Sequence, residues 1–180
     1  SSLLGPVSVW PPPARGCRPT RSSGSATRVA GEHVSRRSTA QPPTGRRAST
    51  VTVVDASVVI AALVDEGPTG AWSAEVLSSA PLAAPHLLPV EVASMLRRAV
   101  LSRRLSADSA ALAHRDLLDL RIELLPYEPF GHRIWELRSS LTTYDAWYVA
   151  LAEELDAPLA TLDGRLTRAH GTRAAFVTPD

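Results

Sequence analysis

VTVVDASVVIAALVDEG, residues 51–67, sets a β-branched run against a carboxylate and then a second apolar run with helical spacing. Residues 51–54 read as a buried strand. Residues 57–64 read as a helix with Ser57 as its cap, and Asp55 falls at the joint. A strand feeding a helix in this way opens an α/β unit, in which strands pair in parallel and helices cover both faces.

The alternation continues outward. Spacing predicts a helix over 68–79, with Trp72, Val76 and Leu77 on one side, and a strand over 82–84 between prolines. Pro89 suits the first turn of a helix running to about residue 103. Ser106 caps a helix to about residue 118, and 122–125 is a strand. Helices follow over about 130–140 and 143–155, then a strand over 159–162, a short helix over 165–169 and a last strand over 174–177. The expected fold is a three-layer α/β/α domain over 51–180 with a central, mainly parallel sheet.

Residues 1–50 differ in kind. They are rich in Pro, Arg, Ser, Gly and Thr and have no sustained apolar period. Ordering them costs backbone entropy that few apolar side chains offset, so disorder is expected. Pro11, Pro12 and Pro13 and the missing amphipathic period argue against an organellar transit peptide. Arg46 and Arg47 precede an apolar run, as in a twin-arginine export signal, but Asp55 interrupts it at a cost a membrane segment would not bear. A cytoplasmic protein without a membrane segment is expected. Valine codons can initiate in bacteria and Val51 stands where the compact domain begins, so the extension is expected to be dispensable for function.

Charge divides the chain at the same place. Residues 1–48 hold eight Arg against Glu32 alone, whereas residues 49–180 hold 11 Arg against 17 acids. All 19 basic residues are Arg. With no Lys, a Walker-type phosphate cradle and Schiff-base chemistry are excluded. The lone Cys17 and five scattered His support no zinc cluster. His86, His114, His132 and His170 have no evident acid partner.

Three further stretches repeat the placement of Asp55: LPVEVASMLRR around Glu91, TTYDAWYVALAEE around Asp145 and APLATLDGRL around Asp163. Asp55 and Asp163 follow strands; Glu91 and Asp145 open helices. Strand C-termini and helix N-termini meet on one edge of an open α/β sheet, where ligands bind. Any one of these acids is explained as well by an N-cap or by the helix dipole. All four nevertheless sit in apolar stretches, which a solvated acid does not need. Two carboxylates about 4 Å apart repel by roughly 4 kcal/mol at an effective dielectric near 20. A hard cation, Mg²⁺ or Mn²⁺, relieves that repulsion and assists phosphodiester hydrolysis. The hydroxyls of Ser57 and Thr161 are candidates to orient ligands or water around it; capping or packing explains them equally.

Taken in order, VTVVDASVVIAALVDEG, LPVEVASMLRRAVLSRRLS and LRSSLTTYDAWYVALAEELDAPLATLDGRL resemble successive signatures of PIN-domain ribonucleases, above all the VapC-type toxins of bacterial toxin–antitoxin pairs. The likeness spans about residues 51–177. It implies a Mg²⁺-dependent (or Mn²⁺-dependent) endoribonuclease, a homodimer, an RNA substrate and an antitoxin that blocks an acidic groove. By motif, the catalytic and metal-binding quartet is Asp55, Glu91, Asp145 and Asp163, with Glu91 completing the site or positioning the attacking water. RNA cleavage then silences translation. The basic extension departs from the pattern, as does the bulk of Trp147. Two other readings stay open: a PIN-type nuclease of RNA processing without a toxin role, and a non-catalytic binding module whose acids are caps.

Arg97, Arg98, Arg103 and Arg104 cluster on and after the helix that Glu91 opens. They could hold RNA phosphates against the otherwise repulsive acidic face, although a plain solvated helix face accounts better for most of them. Arg133 and Arg138, flanking Trp135, carry the same two readings. Trp72, Trp135 and Trp147 are expected in the core or at an interface.

Overall fold

The computed structural model describes residues 51–179; the expectations for residues 1–50, Cys17 among them, lie outside these. Strands β1 (Thr52–Val54), β2 (Leu82–Pro85), β3 (Ile122–Leu125), β4 (Leu159–Ala160) and β5 (Phe176–Val177) form one sheet in the order β3-β2-β1-β4-β5. Every pairing is parallel, with Val53 opposite Ala83 on one side and Leu159 on the other. Helices α1 (Ala56–Val64), α2 (Pro68–Ser79), α3 (Leu88–Leu101), α4 (Ala107–Asp119), α5 (Gly131–Glu136) and α6 (Thr143–Glu154) connect them. The expected central parallel sheet with helical cover is what the chain forms.

The sheet is short and apolar. Val53, Val54, Ala83, Ala84, Leu159 and Ala160 are all buried, and they pack against Val58, Val59, Val92, Leu96, Val149 and Leu151 from the helices. α6 is buried from Ala146 through Ala152 apart from the partly buried Trp147, so its apolar residues run on without the polar stripe of a surface helix. At the turn from α1 into α2, Gly70 allows close approach: a Cβ there would stand 1.7 Å from the Asp65 carbonyl oxygen.

Chain direction fixes where a ligand fits. From β1 the sheet grows through β2 to β3 on one side, and β4 then returns to the other side of β1. The carboxyl ends of β1 and β4 therefore flank the point where strand order reverses, the usual crevice of an open α/β sheet. Asp55 leaves β1 there, its backbone N–H donating to the Ala160 carbonyl at 3.0 Å.

Several boundaries differ from expectation. Ser57 is not a cap: Asp55 takes the N-cap position, and α1 begins at Ala56. Residues 130–140 are not one helix but a 3₁₀ turn (Glu128–Phe130), with Pro129 in its first turn where no N–H is needed, then α5 and a second 3₁₀ turn (Leu137–Ser139). β4 stops at Ala160, as Thr161 turns toward Asp55. The helix expected over 165–169 is a single 3₁₀ turn, Leu166–Arg168. Ser106 does cap α4, its hydroxyl accepting from the Ser109 N–H at 3.0 Å.

Candidate active site

Asp55 stands at the head of α1, yet its carboxylate makes no capping bond. Instead Oδ2 accepts from the Ser57 hydroxyl at 2.6 Å and from the buried Thr161 hydroxyl at 2.8 Å. The Ser57 hydroxyl also ties β4's exit to α1, its Oγ accepting from the Leu162 N–H at 3.0 Å, and Thr161 Oγ1 closes the turn after β4 by accepting from the Asp163 N–H at 3.0 Å. A carboxylate held by two donors from two elements is aimed rather than capping.

Glu91 lies in the first turn of α3. Its Oε2 accepts from the Tyr148 hydroxyl of α6 at 2.6 Å. Asp145 lies in the first turn of α6, where Thr142 Oγ1 accepts from the Asp145 N–H at 3.2 Å and donates to Asp145 Oδ2 at 2.8 Å. This reciprocal pair is a relative of the capping box, and Thr-x-x-Asp was its unread signal. Asp163 is turned to Arg165: Oδ1 accepts from the Arg165 N–H at 2.8 Å, and Oδ2 meets its guanidinium at 3.3 Å.

All four acids line one cleft of about 590 Å³, together with Ser57, Ser94, Arg98, Tyr144 and Arg165. Each is half-buried. Burial pushes the Asp55 carboxyl above its ordinary range against the Ser57 and Thr161 hydrogen bonds, and the charge of Asp145 adds to the rise. Glu91 is raised likewise, by burial first and by the charges of Asp55 and Asp145, against the Tyr148 bond. Burial and then the adjacent Glu91 carboxylate push the Tyr148 hydroxyl up, so it stays a donor. Asp163 goes the other way, lowered chiefly by the Arg165 backbone N–H and guanidinium. The charge of Asp145 thus acts on both Asp55 and Glu91, whereas Asp163 has Arg165 as its counter-ion.

Carboxylate oxygens without thiolate or imidazole are the donors a hard divalent cation prefers. As the side chains stand, no three His, Cys, Asp or Glu groups among the described residues are set to hold one ion. The donor chemistry fits a divalent ion, and Arg165 holds the Asp163 carboxylate in its present place.

Of the four arginines expected near RNA phosphates, Arg98 lines the cleft. Arg104 and Arg98 border an adjoining apolar groove with Ile60, Val64 and Met95, and Arg97 lines a second hollow with His114, Val90 and Ser94. Arg133 is structural: it is bonded to Glu153, Glu136 and the Gly171 carbonyl. Arg138 stacks over Trp135 at 5.0 Å, and Trp135 is exposed rather than core. Trp147 meets Tyr127 edge-on at 5.2 Å. His132 has an acid neighbour after all, Glu136 at 3.2 Å, on the solvent face of α5. Tyr148 and Arg165 went unread at the site. A tyrosine inside an apolar helix looks like core, and an arginine two residues after an aspartate looks like surface.

Residues 52–171 match the PIN domain family. Among curated relatives, ribonuclease VapC1 of Mycobacterium tuberculosis is 43% identical over 120 residues, 66% of this chain and 90% of the relative. Ribonuclease VapC9 of the same species is 40% identical over 115 residues, 64% of this chain and 87% of the relative. Among solved structures, PAE2754 from Pyrobaculum aerophilum has a TM-score of 0.54 at 24% identity, covering 72% of this chain and 85% of that one. The Mycobacterium tuberculosis toxin VapC20, described as cleaving the sarcin–ricin loop, has a TM-score of 0.51 at 16% identity, covering 68% and 95%. At those identities the structural likeness is one of fold.

Proposed function

The chain belongs to the PIN domain family, and on that footing we propose that it is a Mg²⁺-dependent endoribonuclease, the toxin of a toxin–antitoxin pair. In this reading it works as a cytoplasmic homodimer and cuts RNA to halt translation until an antitoxin covers the acidic cleft. The ribonuclease names of relatives at about 40% identity support the activity. Among the described residues no helix is long and apolar enough to cross a membrane.

One observation carries the proposal: four carboxylates from four separate elements line a single cleft at the carboxyl ends of β1 and β4. Caps would not need to converge, and Asp55 does not cap. Asp55, Asp145 and Asp163 are the residues proposed to hold Mg²⁺, with Glu91 completing the site. When bound, the ion supplies charge neutralisation at the scissile phosphate and a more acidic water. Ser57 and Thr161 hold Asp55 in one rotamer. Arg98, exposed at the rim of the cleft, draws the RNA backbone against an otherwise repulsive surface. Glu91, raised by burial, orients water for attack and takes its proton as the new P–O bond forms. The P–O bond to the leaving ribose oxygen breaks, and that oxygen gains a proton from solvent.

The direct test replaces one carboxylate without changing shape. Asp55→Asn or Asp145→Asn abolishes RNA cleavage by the purified chain, while the melting temperature holds or rises because a repelling charge is gone. Cleavage at the wild-type rate in either variant contradicts the assignment.

A further inference from the structure

We infer that Tyr148 is a positioning residue for the metal site, holding Glu91 so that one carboxylate oxygen, Oε1, serves the cleft. The inference rests on the reading of the cleft as a divalent-ion site and adds a residue outside the acidic quartet. Tyr148 is 1% exposed and belongs to the core of α6. A buried tyrosine hydroxyl needs a hydrogen-bond partner. A backbone carbonyl would satisfy it; instead it donates at 2.6 Å to Glu91 Oε2, 57 residues away on α3.

Two features make this bond more than a satisfied core phenol. Glu91 has three side-chain torsions, and among the described residues Tyr148 is its one side-chain hydrogen-bond partner, with none at Oε1. The hydroxyl therefore decides how Glu91 enters the cleft. Tyr148 also follows Asp145 by three residues on α6, so both occupy neighbouring positions on one helix face. One rigid helix thus presents Asp145 and sets the direction of Glu91, locking the relative placement of two acids from different elements. Groups that orient a ligating carboxylate typically contribute about 10–100-fold to metal affinity.

The test is calorimetric titration of the full chain with Mn²⁺ alone, in wild type, Tyr148→Phe, Glu91→Gln and the double variant. Tyr148→Phe keeps the ring and loses the hydroxyl, and it is expected to weaken Mn²⁺ binding about 10–100-fold. In the Glu91→Gln background the same change is expected to add nothing. Binding by Tyr148→Phe equal to wild type overturns the inference, as does an equal loss in both backgrounds. Should Tyr148→Phe fail to fold, the wild-type chain labelled with 3-fluorotyrosine answers the same question. Its Tyr148 ¹⁹F resonance, assigned by elimination from Tyr127→Phe and Tyr144→Phe, shifts on adding Mg²⁺, and that shift is absent in Glu91→Gln. A resonance that Mg²⁺ leaves unmoved overturns the inference. A wild-type chain that takes up no Mn²⁺ fails at the earlier step and removes the metal site itself; wild-type uptake with an indifferent Tyr148→Phe removes only the role of Tyr148.

Discussion

Thr161 does two jobs with one hydroxyl: it donates to Asp55 Oδ2 and accepts from the Asp163 N–H. It is fully buried, so neither bond has water as a ready substitute. Thr161→Val keeps the shape and removes both bonds. We expect a loss of about 1–3 kcal/mol in urea denaturation, the usual cost of an unpaired buried polar group, with Thr161→Ser near wild type. A valine variant as stable as wild type would show that the hydroxyl is idle. Thr161 and Ser57 were legible in the sequence as polar residues two positions from an acid within apolar runs. Tyr148 was not, because a phenol that serves a distant carboxylate and one that fills a core are the same letter in YDAWYVAL.

Between elements, the firmest link outside the sheet is Glu153 near the end of α6. Its carboxylate, 3% exposed, accepts from Arg133 Nε at 2.7 Å and Nη2 at 3.1 Å, and from the Arg173 N–H at 2.7 Å and Nη2 at 3.2 Å. Arg133 also donates to the Gly171 carbonyl at 2.7 Å. The cluster clips α5 and the loop before β5 onto α6. Glu153→Ala removes the bonds to Arg133 and Arg173 but leaves Arg133 with Glu136 and the Gly171 carbonyl, and is expected to cost about 1.5–3 kcal/mol, as for a hydrogen bond to a charged group. Its pH dependence has a definite sign. Burial raises the Glu153 carboxyl, but the Arg133 hydrogen bonds and the Arg173 amide outweigh it and leave it lowered. Its contribution is therefore complete above the ordinary glutamate range and fades as pH falls through the lowered value. The gap in melting temperature between wild type and Glu153→Ala should narrow on going from about pH 6 to about pH 3; a gap constant across that range contradicts the assignment. None of this was readable from spacing, since Glu153, Arg133 and Arg173 sit 20 residues apart in looping order. The elements themselves were readable wherever an apolar run met a cap or a proline, as at Ser106 and Pro89. They blurred over residues 128–139, where α5 is flanked by 3₁₀ turns on both sides.

At the scale of the molecule, order along the chain becomes order around the cleft. Because β1 is central and β4 returns beside it, acids separated by up to 108 positions converge. The β-branched run ending at Asp55 and the apolar run ending near Asp163 mark that edge in the sequence. What strings of letters could not disclose is the pairing of Asp163 with Arg165, which depends on a turn after β4. The described residues carry the sheet, its helical cover and all four acids, so we propose that residues 51–180 form the functional domain and that the basic extension is dispensable for cleavage. The central claim is that these carboxylates form one divalent-ion site, and diffraction from crystals soaked in Mn²⁺ tests it most directly. The account predicts an anomalous peak in the cleft within ligating distance of Asp55 and Asp145, with Asp163 swung from Arg165 toward it. At saturating Mn²⁺, a cleft without such a peak, or a peak only elsewhere on the protein, would contradict it.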